Sequence, residues 1–509
     1  MKKKIFRKIS QADIDHEKDQ TELGRKTASA FAFVAIAQVV ANIVVIVGTI
    51  ILARLLGPEN FGLMAMIATV ATFLMIFENF GLYYVTVQRK NLSIEELNCL
   101  FWVNLAIAAI IGLLFFLLAP FIAMYYKEPI LKDLCQALSM AFFFRGAANQ
   151  HTAFLNRKMN HKKTSIATMF GAICGTVFAL ILAFMGAGVW SLVWRQVIDA
   201  FSRSVMVWIL SGWIPSWHKW SSEYIPALKV GGNLTFSRVM YYISQNFADI
   251  LIGRHLGAIS LGFYKLGFQV IFLPVQRVTE PISHVMIPML SQMLDQPELY
   301  RKSYLRGVHI MYLLYAALGI FVVVHAPLII DVVFGHEWIG ALVPMRYMAA
   351  TMLVVGINST SSWIFVTQDR SSEMLKWSGF QTMAVVLSIL IGIQYGINGT
   401  AFAFMICAFA VSPILYIVIG RKGPVKTSDF IWMIVSHLPL ILSFVTVQYV
   451  TMLFYQGYDP LLQILFAAMA GMSYAALAFV FPPSRTLILY LLYEIKHKIL
   501  KKDKKEIMP

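Results

Sequence analysis

The sequence has little charge for its length. Charged residues make up 13% of the 509 residues and apolar residues 59%, whereas about a quarter of a soluble protein is charged. Such a chain cannot place most of its surface in water, which excludes a set of soluble domains and predicts a protein embedded in a bilayer. The net charge of +16 lies between apolar runs and at the two ends, so we expect no nucleic-acid partner.

Cysteine pairs and the common catalytic motifs are missing as well. The four cysteines show no CxxC or other paired spacing, which excludes a disulfide framework and a zinc site. HExxH, GxSxG and Walker motifs do not occur, and the eleven histidines show no metal-ligand spacing. We therefore expect a protein that is not an enzyme and that holds no metal and no cofactor, with H+ or Na+ left open as a coupling ion.

Apolar runs long enough to cross a bilayer fill most of the chain. A bilayer core about 30 Å thick needs roughly 20 apolar residues per helix. The fourteen runs cover approximately residues 28–56, 61–87, 97–122, 131–154, 164–186, 188–212, 224–253, 259–288, 304–330, 340–366, 374–395, 397–419, 428–454 and 460–482. We therefore predict an all-α integral membrane protein with about 14 transmembrane helices.

Lys and Arg alternate between the two ends of these runs. If both termini are cytoplasmic, the inner segments hold 29 Lys and Arg, and the outer segments hold only Arg54, Lys127, Lys132 and Arg254. Cytoplasmic loops carry the excess of basic residues, so we expect both ends of the chain inside and an even number of spans. The outer turns are too short for an extramembrane catalytic domain.

Two tight turns predict an internal duplication. The stretch ILARLLGPENFGLMAM (51–66) reappears two hundred residues later as LIGRHLGAISLGFYKL (251–266), each joining two apolar runs. The identical pairs are Arg54/Arg254, Leu56/Leu256, Gly57/Gly257 and Gly62/Gly262. The arginines either cap a helix end or guide cargo. A repeat of this kind predicts two six-helix lobes related by a pseudo-twofold axis along the membrane normal.

The repeat suggests boundaries for the whole chain. We expect a cytoplasmic segment (1–27), an N-lobe of spans 1–6 (28–214), a C-lobe of spans 7–12 (215–420), two extra C-terminal helices (421–483) and a basic cytoplasmic tail (484–509). The tail mixes apolar and basic residues, so it either lies along the inner leaflet or is solvated.

Several basic residues lie deep within the predicted spans. A charge at the bilayer centre costs at least about 2.5–3.5 kcal/mol, so such residues normally face a bundle interior or a wet cavity. We therefore predict a cationic lumen for an anionic cargo. Its members are Arg145, Arg195, Arg238, Lys265, Arg277 and Arg346. In the alternative interpretation, Arg195 is neutralised by Asp199 and Arg277 by Glu280, each on one helix face. Glu78, Asp199 and Glu280 are the candidates for protonation coupled to transport.

Span 7 carries a polar and aromatic stripe, and span 8 a proline. Tyr241, Tyr242, Gln245 and Asn246 recur at helical spacing. Such side chains suit the faces and hydroxyls of sugars, although hydrogen bonding between helices would use the same residues. Pro274 lies near the middle of span 8, where a lost backbone hydrogen bond permits a kink and a hinge.

Three motifs lie at turns between predicted spans: LARLLGPENFGLMAM (52–66), FLNRKMNHKK (154–163) and GAGVWSLVW (186–194). Together they resemble the Wzx-type polysaccharide flippases, or lipopolysaccharide biosynthesis exporters, of the MATE-like MOP superfamily, especially their colanic-acid-transporter branch. The resemblance covers spans 1 to about 12. It implies alternating access in the bacterial cytoplasmic membrane and an undecaprenyl-pyrophosphate-linked oligosaccharide as cargo, with membrane lipids, a polysaccharide polymerase and export machinery as partners. The motifs are structural turns, so the cationic candidates come from the charge pattern alone.

Other functions remain as alternatives. A cation-coupled MATE-type drug antiporter would need buried carboxylates in a lumen suited to cations, whereas the deep basic residues here outnumber the acids. A lipid II flippase would use the same physics and differ only in cargo. A membrane glycan polymerase or ligase would need a large outer loop with catalytic residues, and the sequence has none.

The charge pattern generates a first prediction. Arg145→Ala and Arg238→Ala should each impair polymer export, because each removes a cation from the predicted lumen, while membrane insertion stays intact. Export is measured as surface polysaccharide, and insertion as the amount of protein in the membrane fraction. Normal export in both variants would remove these residues from the cargo site.

Overall fold

The computed structural model describes residues 20–78, 82–89, 92–217, 225–455, 459–481 and 484–485. The helices are α1 (Gln20–Glu78), α2 (Leu82–Gln88), α3 (Ile94–Tyr126), α4 (Leu131–Arg157), α5 (His161–Phe184), α6 (Trp190–Ser211), α7 (Ile225–Ser291), α8 (Pro297–Leu328), α9 (Leu342–Ala350), α10 (Met352–Asn358), α11 (Ser361–Thr367), α12 (Ser371–Gly392), α13 (Gly396–Gly420), α14 (Thr427–Tyr455) and α15 (Pro460–Val480). Short π- and 3₁₀-helices lie at Ile329–Phe334, His336–Ala341 and Ile393–Tyr395.

Helices occupy all fourteen predicted spans, and the all-α membrane class is confirmed. Among the described residues, seven helical segments are long and apolar enough to cross a bilayer, or eight if one bent pair counts as a span. Some of these segments contain two predicted spans, because α1 and α7 each run through a tight turn and α12 and α13 form one stretch. The number fourteen therefore stays a prediction.

The tenth predicted span differs from a simple helix. Residues 336–367 form a short 3₁₀-helix followed by α9, α10 and α11. The two halves, His336–Ala350 and Met352–Thr367, are bent by 43° at Thr351. Periodicity of apolar residues cannot show such a bend, because both halves keep the same hydrophobic character.

Glycine makes the two duplicated turns possible. Gly57 has φ 68° and ψ 178°, and Gly257 has φ 81° and ψ 179°. Only glycine adopts this region of the backbone map readily, because a Cβ atom would clash there. The same rare geometry thus recurs two hundred residues apart, as expected for two copies of one turn.

Further turns extend the repeat beyond the sequence identities. Met159 and Asp369, 210 residues apart, share a positive φ of 54° and 52°. The two turns also share a backbone hydrogen bond. The amide of Asn160 donates to the carbonyl oxygen of Leu155 at 2.9 Å, and the amide of Arg370 donates to that of Phe365 at 2.8 Å. The outer turns at Gly186 and Gly396 match in the same way, with φ of 80° and 73°. Turns with positive φ therefore recur at equivalent positions, both where the residue type is kept, as at Gly186 and Gly396, and where it differs, as at Met159 and Asp369.

The two duplicated turns also pack directly against each other. A Cβ atom placed on Gly62 would overlap the carbonyl oxygen of Ala258, and one placed on Gly262 would overlap the carbonyl oxygen of Pro58. Ala258 and Pro58 are equivalent positions of the repeat, as are the two glycines. The contact is thus reciprocal, as in a twofold-symmetric interface.

Basic residues of the predicted cytoplasmic loops cap helix ends. Arg157 donates to the carbonyl oxygens of Thr86 at 3.0 Å and Arg89 at 2.6 Å, at the end of α2. Lys163 donates to Leu210 at the end of α6, at 2.7 Å. Cations are favourable near unsatisfied C-terminal carbonyls, so the FLNRKMNHKK motif stabilises neighbouring helix ends.

The chain forms two compact units, residues 1–262 and 263–509. The first contains α1 to α6 and the start of α7. In the second, α14 is fixed to α8 near both ends, because Arg301 binds the carboxylate of Asp429, with Nε 3.0 Å from Oδ2, and His325 donates to Gln448 at 2.6 Å. The predicted lobe boundary near residue 215 stays a prediction.

The reciprocal contact generates a second prediction. Gly62→Ala and Gly262→Ala should each lower the free energy of unfolding by about 1–3 kcal/mol, because the added methyl group meets rigid backbone. The measurement is the thermal unfolding midpoint in detergent. Gly379→Ala is the matched control, since Gly379 lies in α12 with open space around its Cβ position. A loss as large in the control as in the turn variants would contradict the prediction.

Candidate functional site

Charged and polar side chains from α1, α4 and α6 meet inside the first unit. We call this set the N-lobe polar network. Its members are Thr49, Glu78, Arg145, Arg195, Gln196, Asp199 and Arg203, which lie within helices that are otherwise apolar. It contains three cations and two carboxylates, so the predicted cationic centre is partly balanced by acids in this unit.

Arg145 on α4 links α1 and α6. Its Nη2 donates to Oε1 of Gln196 at 3.4 Å, and its Nη1 lies against the sulfur of Met75. Its charge also interacts with the carboxylates of Glu78 and Asp199. The guanidinium therefore sits between two acids without forming an ion pair with either one, among the residues that the structure describes.

Asp199 pairs with a different arginine from the one that spacing suggested. Nη2 of Arg203 lies 3.3 Å from both carboxylate oxygens of Asp199, one helical turn along α6. Arg195, four residues before Asp199, instead donates to the hydroxyl of Thr49 on α1 at 3.0 Å. Both arginines satisfy the i, i+4 spacing, so sequence alone could not choose between them.

Two glycines of α5 bring that helix against the network. A Cβ atom on Gly171 would lie 2.7 Å from Oδ1 of Asp199, and one on Gly175 would lie 2.6 Å from the carbonyl oxygen of Arg195. The spacing is that of a GxxxG motif, which lets membrane helices approach closely. The GxxxG motif could have predicted this close approach of α5, but the predicted site was built from charged residues and did not include these glycines.

Glu78 lies at the α1 side of the network. It is 3% exposed, and its backbone oxygen accepts a hydrogen bond of 3.1 Å from Nδ2 of Asn104 on α3. Asn104 is fully buried. The charge of Glu78 within an apolar run marks it in the sequence. Asn104 has no charge and no distinguishing spacing, so the sequence does not single it out.

The predicted cations of the second unit do not form a comparable cluster among its described residues. Arg346 donates through Nε to the carbonyl oxygen of Val323 at 3.0 Å. Nζ of Lys265 lies 5.5 Å from the ring centroid of Phe268. Arg277 and Glu280 are both exposed, and no ion pair joins them in the described part of the chain. Self-neutralisation of this second pair is therefore not seen.

The stripe of span 7 is only partly described. The side chains of Arg238 and Tyr241 lie outside the described residues. Tyr242 is buried, its ring centroid lies 5.5 Å from that of Phe73 with the rings tilted by 51°, and its hydroxyl donates a hydrogen bond to the backbone oxygen of Thr69. Asn246 donates to the carbonyl of Tyr242 at 3.1 Å, and Gln245 is half-buried. The hydroxyl of Tyr242 is thus used in helix packing, and the sugar-facing role of this set stays a prediction.

The remaining predicted residues lie at turns or on helix surfaces. Arg54 is exposed, whereas Arg254 lies over the ring of Tyr125 with 5.5 Å from Cζ to the centroid. Pro274 is exposed, and Gly257 is the residue of α7 with non-helical backbone angles. The hinge at Pro274 therefore stays a prediction.

The fold is that of a known class of membrane transporters. The chain superposes on the lipid II flippase MurJ in an inward closed conformation with a TM-score of 0.69 and 13% identity, over 89% of this chain and 99% of that one. It superposes on an inward-facing multidrug-resistance MATE family transporter of the MOP superfamily with a TM-score of 0.58 and 14% identity, over 76% and 96%. These likenesses show that the chain has the fold of these two proteins.

Sequence comparison identifies the family within that class. Residues 51–344, more than half of the chain, match the model of a polysaccharide biosynthesis protein family. The chain belongs to this family, as the resemblance in its turns predicted.

Relatives from several bacteria match most of the chain. Lipopolysaccharide biosynthesis protein WzxC of Escherichia coli is 24% identical over 434 residues, which cover 83% of this chain and 87% of WzxC. Teichuronic acid biosynthesis protein TuaB of Bacillus subtilis is 22% identical over 69% of this chain and 72% of its own. Succinoglycan biosynthesis transport protein ExoT of Rhizobium meliloti is 26% identical over 57% and 58%.

The Asp199–Arg203 pair generates a third prediction. The double variant Asp199→Asn/Arg203→Gln should lose less stability than the sum of the losses in the two single variants, by a coupling energy of roughly 0.5–1 kcal/mol. This coupling energy is small because both side chains are partly exposed and solvent screens their charges. Thermal unfolding in detergent measures the three variants. Arg277→Gln and Glu280→Gln form the control cycle, since these residues make no ion pair, and should be additive. Equal coupling in the two cycles would contradict the assignment.

Proposed function

We propose that the chain is a flippase that moves an undecaprenyl-pyrophosphate-linked oligosaccharide repeat unit from the inner to the outer leaflet of the bacterial cytoplasmic membrane by alternating access. The observation that carries the proposal is a polysaccharide-biosynthesis family sequence on the fold of a lipid flippase. A cargo of this kind needs a transporter rather than an enzyme, because no covalent bond changes in the step.

The charge distribution supports an anionic lipid headgroup as the transported part. A pyrophosphate needs cationic or hydrogen-bonding partners where water is scarce. Arg145 and Arg195 are candidates in the first unit, and Lys265, Arg277 and Arg346 in the second. Arg145 is the strongest candidate, because among the described residues its guanidinium makes a long hydrogen bond and a sulfur contact and no ion pair, so it can rearrange toward a phosphate.

Alternating access is the mechanism that we propose for this step. It is supported by the likeness of the fold to MurJ in an inward closed conformation and to a MATE family transporter in an inward-facing conformation. Switching transitions of this kind use discrete packings of rigid bundles. Transport would be driven by the cargo gradient or coupled to H+ or Na+.

Partners and orientation follow from the same proposal. Both termini would lie in the cytoplasm, as the distribution of Lys and Arg predicts. The flipped repeat unit would pass to a polysaccharide polymerase and export machinery at the outer face, and membrane lipids would surround the apolar helices.

The fourth prediction tests the cargo directly. Purified protein in liposomes should move a labelled undecaprenyl-pyrophosphate-linked oligosaccharide between leaflets at least about tenfold faster than empty liposomes, measured by accessibility of the sugar to an external modifying reagent. Lipid II and a cationic dye serve as competing cargoes. Movement of lipid II alone would identify a cell-wall flippase, and movement of the dye alone a drug antiporter; either result would overturn the proposal.

A further inference from the structure

Pro327 lies inside α8 and leaves one backbone carbonyl without its usual partner. In an α-helix the amide of each residue donates to the carbonyl four positions earlier. Proline has no amide hydrogen, and its ring pushes that carbonyl aside. The carbonyl affected here belongs to Val323. An unpaired carbonyl is costly within a membrane, so proline is tolerated there when a neighbouring group supplies the donor.

Arg346 on α9 supplies this donor. Its Nε lies 3.0 Å from the carbonyl oxygen of Val323. The two helices touch one turn further along, where a Cβ atom placed on Gly319 would lie 2.6 Å from the carbonyl oxygen of Ala349. This close approach brings α9 within reach of the carbonyl. The guanidinium therefore takes the place of the amide that Pro327 lacks.

The first unit contains the same proline and the same helix contact without the arginine. A Cβ atom placed on Gly112 of α3 would lie 3.2 Å from the carbonyl oxygen of Ser139 on α4. Pro120 follows Gly112 by eight residues, as Pro327 follows the glycine of α8. Three residues before Ser139 stands Gln136, where the second unit has its arginine. The two helix pairs are thus equivalent, and they differ at this position.

The two helices behave differently after their prolines. α3 continues regularly past Pro120 to Tyr126, whereas α8 turns into the π-helix Ile329–Phe334 almost directly after Pro327. In the described part of α4, no side chain donates to the carbonyl of Phe116, four residues before Pro120. The arginine therefore occurs in the copy whose helix is distorted, as expected if it holds that distortion in place.

α9 is a short helix that contacts three other helices through three successive residues. It has nine residues and ends at the bend of 43°. The Cα atom of Met345 lies 3.2 Å from a Cβ position on Gly267 of α7. Arg346 bonds to α8, and the ring centroid of Tyr347 lies 5.3 Å from that of Phe402 on α13. The position of α8 is thereby linked to those of α7 and α13.

We propose that Arg346 is a positioning residue for transport, which holds the distorted end of α8 against α9 through the carbonyl of Val323. It acts through the backbone of α8 and does not touch the cargo. This inference rests on the proposed function and narrows it, because Lys265 and Arg277 then remain as the cations of the second unit for the headgroup. Without the bond, the segment after Pro327 loses its attachment, and the movement of a rigid bundle that alternating access requires is slowed.

A stability cycle on the purified full-length protein tests the bond. Arg346→Met removes the donor and should lower the thermal unfolding midpoint in detergent by about 2–4 °C. Pro327→Ala restores an amide that can donate to Val323. In that background Arg346→Met should lower the midpoint by at most about half as much, because the carbonyl no longer depends on the arginine.

The matched control is the equivalent cycle in the first unit, Pro120→Ala with Gln136→Met. No side-chain hydrogen bond joins these two positions in the described chain, so their effects on the midpoint should add. Coupling in the second unit that is no larger than in the first would overturn the inference. If Arg346→Met does not fold, Pro327→Ala/Arg346→Met should fold; a double variant that also fails to fold, while Pro327→Ala alone folds, would equally overturn it.

The rate of flipping in liposomes separates positioning from cargo binding. With the labelled lipid-linked oligosaccharide as probe, Arg346→Met should lower the maximal rate at least about threefold and leave the half-saturating cargo concentration within about twofold of wild type. Pro327→Ala/Arg346→Met should keep at least about half of the rate of Pro327→Ala alone. A raised half-saturating concentration at an unchanged maximal rate would assign Arg346 to the headgroup and refute the positioning role.

Failure of this inference is distinguishable from failure of the proposed function. If the wild-type protein moves no cargo while the stability cycle of the second unit shows the expected coupling, the cargo assignment is wrong and the bond to α8 stands. If cargo moves and the coupling is absent, the flippase proposal stands and the role given to Arg346 is wrong.

Discussion

The free-energy cost of an ionised side chain in hydrocarbon organises the interior of this protein. Each arginine of the N-lobe polar network donates a hydrogen bond to a carboxylate, a hydroxyl or an amide on another turn or helix. Arg203 donates to Asp199, and Arg195 donates to Thr49. These contacts require α1, α4, α5 and α6 to approach closely, and Gly171 and Gly175 provide the room. Helix packing in the first unit is therefore inseparable from its charge arrangement.

The duplication preserved backbone geometry but not charge. Turns at equivalent positions keep their positive φ angles, at Gly57 and Gly257 and at Met159 and Asp369. The polar network has no such copy: 210 residues after Arg145, Arg195, Asp199 and Arg203 stand Val355, Met405, Phe409 and Pro413. Backbone turns are retained because the helices could not otherwise reverse direction. Side-chain chemistry was free to diverge, so the two halves of the molecule share a scaffold and differ in what they can bind.

Sequence reasoning reached the fold because its signals were strong and local. Apolar runs and the basic loops between them located the helical regions of the described chain, and the glycines at 57 and 257 marked the repeat. The bend at Thr351 was missed, since apolar character does not change across it. At the candidate site, burial cost picked out Arg145, Arg195 and Glu78, but the choice of partners depends on contacts between helices distant in sequence. Asn104 and Gln196 are the clearest cases, because only the folded chain places them beside a charge.

The attachment of the last two helices has a consequence for chains of different length. Arg301 and His325 on α8 find their partners, Asp429 and Gln448, on α14, which lies outside the duplicated part. A homologue without α14 and α15 would leave the buried imidazole of His325 without its amide partner and Arg301 without its carboxylate. Because Arg301 lies before the predicted span and can be solvated, only the position of His325 should carry an apolar residue in homologues that lack these two helices.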